Sequence, residues 1–171
     1  MGGRVVERGK RDLPVRRLMG REPILLDVAG MERVLTTART IAVLGIKPES
    51  RRNLDAHQIP LYLHRVGYRI VPVPTRYPEA THILGAPVHR RVGEIVIPFD
   101  VLNVFCKPDD FTRHLEDVVG RRPPVVWFQS GLLDAHAAQE LAQAGIAVAE
   151  DCIGCRRASI SPSWEPLEGQ R

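Results

Sequence analysis

Residues 40–47, TIAVLGIK, carry the clearest indication of the fold. It is a short apolar run without polar–apolar alternation, and its hydrophobic part ends at Gly45. Runs of this kind are typical of strands that are buried on both faces, as the central strands of parallel sheets are. A polar loop follows, and residues 54–66 then carry apolar side chains at helical spacing and end at Gly67. The stretch therefore predicts the first β-α unit of a parallel sheet.

The same alternation continues to the end of the chain. Further strands are predicted at 69–73, 100–105, 125–128 and 146–149. Helices are predicted at 28–38, 54–66, 108–120 and 135–144, the first as a lead-in helix and the third ending at Gly120. Residues 74–98 form a long connection with a helical turn near 90–94, and 150–161 receive no assignment. The order predicts an α/β fold: a doubly wound, three-layer parallel sheet of about five strands.

Length and composition fit one globular domain. The chain has 171 residues, of which 44% are hydrophobic and 26% charged. No apolar run reaches the roughly 18 residues of a membrane span, and the first residues lack the apolar block of a secretory signal. Three cysteines do not make a disulfide framework. We expect a cytoplasmic protein with a leader at 1–22, a domain at 23–161 and a tail at 162–171.

The basic character of the chain comes from its first residues. Residues 1–22 hold seven Lys and Arg against three acidic residues, so this segment carries the whole formal net charge of +4. The rest of the chain is balanced and has no basic field, which disfavours a nucleic-acid partner. We expect the leader to be a solvated, disordered segment; the alternative is that it contacts nucleic acid or an anionic surface.

In open parallel sheets, ligands bind beyond the carboxyl ends of the strands. After the first strand, only Gly45 of a dinucleotide fingerprint is present, and no acidic residue follows the second strand, which disfavours a nicotinamide cofactor. Lys47, Arg51 and Arg52 precede a predicted helix N-terminus, an arrangement that suits phosphate groups. The same residues also fit an ordinary solvated loop.

The other strand ends add a stiff apolar wall and further polar groups. Residues 72–78, PVPTRYP, could hold a flat adenine ring, with Arg76 reaching a phosphate; alternatively they are a connector with Arg76 in solvent. The sequence FCK, 105–107, follows the third strand, and Gln129 and Gly131 follow the fourth.

The cysteines and catalytic motifs give weaker indications. Cys152 and Cys155 form a C-x-x-C without a second pair or a histidine at ligand spacing, so no metal site is predicted. The pair follows the last predicted strand, and we expect it to lack the strand-then-helix placement of thioredoxin-like sites. Motifs for a nucleophile elbow, a zinc protease and a P-loop are absent, and no catalytic residue is predicted.

Taken in order, the strand ends resemble a known family, the small standalone coenzyme A-binding proteins. These are similar to the nucleotide-binding domain at the start of the succinyl-CoA synthetase alpha subunit. The matching segments are IAVLGIK 41–47, GYRIVPVP 67–74, YP 77–78, ILG 83–85, NVF 103–105 and VWFQSG 126–131. The resemblance covers about residues 33–160. It implies a Rossmann-like fold and coenzyme A, or an acyl-CoA, in the strand-end crevice.

The resemblance also assigns roles by position. It implies contacts to the pyrophosphate from the first loop, to adenine and the 3′-phosphate from the second, to the cleft from the third and to pantetheine from the fourth. The residues of the first loop are Gly45, Ile46 and Lys47, and the phosphate-binding interpretation of that loop adds Arg51 and Arg52. Those of the second loop are Val73, Pro74, Arg76 and Tyr77, those of the third are Phe105 and Lys107, and those of the fourth are Gln129 and Gly131.

The chain departs from the family pattern at two places. Cys106 stands where a basic residue is usual, and Gly154 to Arg157 replace an apolar–acid–histidine pattern. The synthetases' catalytic histidine lies in a second domain that this length does not accommodate. The sequence therefore predicts a binding module without a demonstrated reaction, and the sheet edge permits a homodimer. Two alternatives stay open: an acyl-thioester-processing enzyme that uses Cys106, and a thiol-redox-responsive protein that uses Cys106 or the pair Cys152 and Cys155.

Overall fold

A computed structural model describes residues 22–161; the predicted leader, but for Glu22, and the predicted tail lie outside these residues. The strands, in chain order, are β1 (Ile24–Leu25), β2 (Thr40–Leu44), β3 (Arg69–Val73), β4 (His82–Ile83), β5 (Ala86–Pro87), β6 (Val101–Val104), β7 (Val125–Phe128) and β8 (Ala147–Glu150). The helices are α1 (Val28–Thr37), α2 (Asp55–Arg65), α3 (Pro108–Thr112), α4 (Leu115–Arg121), α5 (Ala135–Ala144) and α6 (Ile153–Ile160).

Six strands form one parallel sheet in the order β1-β8-β7-β6-β2-β3. The chain leaves β2 towards β3 and then crosses to β6 on the other side of β2. The switch point of the doubly wound sheet therefore lies between β2 and β6. The predicted α/β fold is confirmed, with one strand more than the five predicted: the short β1, which pairs with β8 at the edge.

The core consists of two layers, one on each face of the sheet. In β2, Ala42 and Leu44 pack into one apolar cluster, and Ile41 and Val43 pack into the other; all four are fully buried. The first cluster includes residues of α3, α4 and α5, and the second includes residues of α1, α2 and α6. Both faces of β2 are covered, as the continuous apolar run predicted.

Two segments differ from the prediction. The helix expected at 108–120 is divided into α3 and α4 at Arg113–His114, and it continues past Gly120 to Arg121. It ends there because Pro123 disfavours helical geometry at Arg122, which adopts φ 50° instead. Residues 153–160, which received no assignment, form α6.

The long connection at 74–98 contains the antiparallel hairpin β4–β5, which was not predicted, and a 3₁₀ turn at Val92–Glu94 close to the predicted one. No helix within residues 22–161 combines the length and apolar character needed to span a membrane.

Candidate nucleotide-binding cleft

A cleft of about 400 Å³ opens at the carboxyl ends of β2, β3 and β6, beside the switch point of the sheet. Its lining residues are Gly45, Lys47, Arg51, Leu54, Thr75, Arg76, Tyr77, Phe105, Cys106, Lys107 and Asp110. They come from the loops after three strands that are neighbours in space but distant in sequence. This is where an open parallel sheet places its ligands.

The floor of the cleft depends on a glycine. Gly45 has φ +87°, and its N–H donates to the carbonyl oxygen of Val73 at 2.8 Å. A Cβ at this position would lie 2.9 Å from the backbone nitrogen of Cys106 and 3.2 Å from the carbonyl carbon of Phe105. Only a residue without a side chain permits both this backbone geometry and the close approach of the ends of β2 and β6.

Helix α2 holds the loop that carries Lys47. The Lys47 N–H donates to the carbonyl oxygen of Ala56 at 3.0 Å, and the buried His57 donates from Nδ1 to the carbonyl oxygen of Lys47 at 2.8 Å. The carbonyl of Ala56 is free for this bond because Pro60, four residues on, has no N–H to offer it. Pro60 therefore leaves a carbonyl in α2 that accepts a hydrogen bond from the loop.

The loop after β3 is held in a strained conformation. Tyr77 has φ +66°, which is uncommon for a residue with a side chain. The Arg90 guanidinium donates to the carbonyl oxygens of Tyr77, Pro78 and Ala80 at 2.6–3.2 Å and fixes this turn. The Lys47 ammonium lies 5.3 Å from the centre of the Tyr77 ring, within the range of a cation–π contact. The first two loops therefore meet across the cleft.

The cleft is strongly positive. Lys47, Arg51, Arg76 and Lys107 line it against the single lining carboxylate of Asp110. The Arg76 side chain is 71% exposed and lies 3.8 Å from that carboxylate, a loose contact that costs little to give up. Cations gathered at the end of a strand suit an anionic ligand with several phosphate groups.

Cys106 has a different environment from the cations around it. The residue is 6% exposed. Burial, helped by the nearby Asp110 carboxylate, raises the pKa of the thiol to about 12, although Lys47 acts in the opposite direction. The thiol is therefore protonated at neutral pH, and a protonated thiol is a poor nucleophile. The geometry gives Cys106 a packing role, which argues against the alternative of a thioester-processing enzyme.

Seven of the predicted site residues line this cleft: Gly45, Lys47, Arg51, Arg76, Tyr77, Phe105 and Lys107. Ile46 and Val73 are buried in the core, Arg52 is exposed outside the cleft, and Pro74 lines a small adjoining cavity with Arg76.

Gln129 and Gly131 lie after β7, one strand further from the switch point, and do not line the cleft. The Gln129 Nε2 atom is buried without a hydrogen-bond partner among residues 22–161, and the Gly131 N–H donates to the Glu150 carboxylate at 2.9 Å.

Sequence reasoning did not assign Leu54, Thr75 and Asp110 to the cleft. Each lies within two residues of the end of a predicted element. Leu54 is the first residue of the predicted helix 54–66, Thr75 follows the predicted strand 69–73, and Asp110 lies in the first turn of the predicted helix 108–120. No group of three or more His, Cys, Asp or Glu side chains in the described part of the chain is arranged to hold a metal ion.

A doubly wound parallel sheet with a ligand cleft at its switch point defines the Rossmann-like class of α/β domains. Within that class, the family described as CoA binding domain matches residues 39–158, and the chain belongs to this family.

Relatives are found in bacteria and archaea. The chain is 31% identical over 126 residues to the uncharacterized protein YneT of Bacillus subtilis (strain 168), a match that covers 73% of this chain and 90% of YneT. The structure of cell-free ID.343 from Thermus thermophilus is similar with a TM-score of 0.72 and 30% identity, over 79% of this chain and 99% of that one. A hypothetical protein from Pyrococcus horikoshii OT3 has a TM-score of 0.70 and 25% identity, over 81% and 94%.

Proposed function

We propose that the cleft binds coenzyme A or an acyl-CoA through its ADP and pyrophosphate moiety and that the chain catalyses no reaction by itself. The observation that carries this proposal is the set of four cations that line the cleft beside Gly45, in a member of the CoA-binding domain family. Coenzyme A carries a pyrophosphate and a 3′-phosphate, and the negative charge of these groups complements the four cations of the cleft.

The residues fit the parts of this ligand. The side chains of Lys47 and Arg51, beside Gly45, are assigned to the pyrophosphate. Arg76 and Lys107, on the two opposite walls, are assigned to the 3′-phosphate. Tyr77 is assigned to the adenine ring, since aromatic rings stack against flat bases.

The test combines native mass spectrometry with titration calorimetry on the full-length protein. A mass increment equal to coenzyme A, retained in the presence of NAD, is expected, and an acyl group would appear as additional mass. Absence of any adduct at millimolar coenzyme A would overturn the proposal.

A matched pair of variants tests the assignment of Arg76. Arg76→Ala should weaken coenzyme A binding by about 10- to 100-fold, because a charge-assisted contact contributes roughly 1.5–3 kcal/mol. Arg39→Ala removes the same charge from an exposed residue just before β2, at the opposite end of the strands from the cleft, and should leave affinity unchanged. Equal affinities of the two variants would contradict the assignment.

A further inference from the structure

The cysteine pair lies at the start of a helix. Strand β8 ends at Glu150, and α6 begins at Ile153 with Cys152 as its N-cap. The expectation that this pair lacks a strand-then-helix placement is therefore wrong. Cys152 and Cys155 are joined by a disulfide with a Cα–Cα distance of 5.3 Å.

The pair faces an open cavity that is separate from the cationic cleft. This cavity has a volume of about 510 Å³ and shares no lining residue with the cleft. Its walls include Gln58 and Tyr62 of α2 and, opposite them, Cys152, Cys155 and Ala158. Cys155 is exposed and Cys152 is half-buried, so a small molecule in the cavity has access to the sulfur atoms.

Gly154, between the two cysteines, lets α6 approach α2. A Cβ at this position would lie 3.1 Å from Cγ2 of Ile59, which is closer than ordinary contact. The glycine of the C-x-x-C therefore permits the close packing that brings the pair to the cavity wall.

The two sulfur atoms are not equivalent. Sγ of Cys152 accepts the Cys155 N–H at 3.2 Å at the positive end of α6, an environment that stabilises a thiolate. The neighbouring Asp151 carboxylate is compensated, because the Arg156 guanidinium donates to it at 2.6 and 2.9 Å. Sγ of the exposed Cys155 accepts no hydrogen bond within residues 22–161.

We propose that Cys152 and Cys155 form a reversible dithiol–disulfide site that exchanges with the disulfides of small aliphatic thiols. In oxidation, the Cys152 thiolate attacks one sulfur of the disulfide RSSR, breaks its S–S bond and releases one thiolate. Cys155 then loses its proton to solvent and attacks Sγ of Cys152, which releases the second thiolate. The protein gives up two electrons, RSSR accepts them, and two RSH molecules form after protonation. The reverse sequence reduces the pair.

A redox titration tests this proposal and does not depend on coenzyme A binding. The full-length protein is equilibrated with glutathione and glutathione disulfide over several decades of ratio, and free thiols are trapped and counted by intact mass. One transition that involves two thiols is expected, unchanged in Cys106→Ser and absent in Cys152→Ser and Cys155→Ser. A pair that stays fully oxidised or fully reduced at every ratio would overturn the proposal.

The rates test the assigned order of attack. Cys155→Ser should form a mixed disulfide with glutathione disulfide about tenfold faster than Cys152→Ser, since it retains the supported thiolate. Equal rates would refute the role of Cys152.

Coenzyme A disulfide, used as a second oxidant, distinguishes the source of the thiol. Faster oxidation by coenzyme A disulfide than by glutathione disulfide would support exchange with the coenzyme A pool. Equal rates would support exchange with small thiols in general. Because coenzyme A binding is measured separately, failure of the cleft proposal and failure of this one give different results.

Discussion

Replacing Gly45 by alanine tests the close approach on which the cleft depends. At φ +87°, a residue with a side chain costs about 1–2 kcal/mol from backbone strain. The new Cβ would also lie 2.9 Å from the Cys106 backbone nitrogen, and forcing an atom into such a contact costs about 1–3 kcal/mol. We expect Gly45→Ala to lower the free energy of unfolding by about 2–5 kcal/mol. Such a loss is large against the roughly 5–15 kcal/mol by which domains are stable, so urea unfolding at low temperature is the appropriate assay.

Gly85 provides the matched control. It has φ +75°, and a Cβ there would meet nothing within 4 Å. Gly85→Ala should therefore show the backbone cost alone, about 1–2 kcal/mol, and leave coenzyme A binding intact. The difference between the variants measures the contact between the ends of β2 and β6. If both lose the same stability, the argument for a crowded cleft floor is wrong.

Three further outcomes follow from particular contacts. His57→Ala removes the donor to the Lys47 carbonyl, so calorimetry should show weaker coenzyme A binding and urea unfolding a loss of about 1–3 kcal/mol, although His57 does not line the cleft. Burial raises the pKa of Cys106, so the stability that the protonated thiol contributes to the fold is complete below pH 9.0 and is lost as the pH rises towards about 12. The urea midpoint should therefore fall less at alkaline pH in Cys106→Ser than in the unmodified protein, and the native thiol should resist thiol reagents at pH 8. The hydrogen bonds from Arg91 lower the pKa of Asp117, so the stability that this carboxylate contributes is present above pH 3.8 and is lost as the pH falls through the lower pKa of the folded state. In Asp117→Asn, the urea midpoint should therefore fall less at acidic pH.

The fold was predictable because the decisive signal is local. A parallel strand that is buried on both faces must be apolar along its whole length, and 40–44 shows this without reference to any other segment. Helix α6 was missed because it has only eight residues, has a cysteine as its N-cap and carries two consecutive arginines, of which Arg157 is fully buried. Nothing in that short pattern separates a helix from a loop.

The cleft was partly predictable for a topological reason. Cations that follow neighbouring parallel strands meet at one edge of the sheet, which places Lys47, Arg76 and Lys107 together without knowledge of any side-chain position. Ile46 could not be placed in this way, because which face it points to depends on the pleat and on the turn at Gly45. Arg90 was missed because its bonds to the carbonyls of 77–80 span the long connection, whose path leaves no periodic signal.

Helix α2 connects the two sites. Leu54, at its N-cap, lines the cationic cleft, whereas Gln58 and Tyr62 line the cavity of the cysteine pair. A helix moves largely as a unit because its own hydrogen bonds hold it together. Displacing α2 at its contact with Gly154 would therefore also move Ala56 and His57, which hold the Lys47 loop by two hydrogen bonds. The missing N–H of Pro60 leaves the Ala56 carbonyl free for one of those two bonds, so Pro60 strengthens the connection between α2 and the cleft.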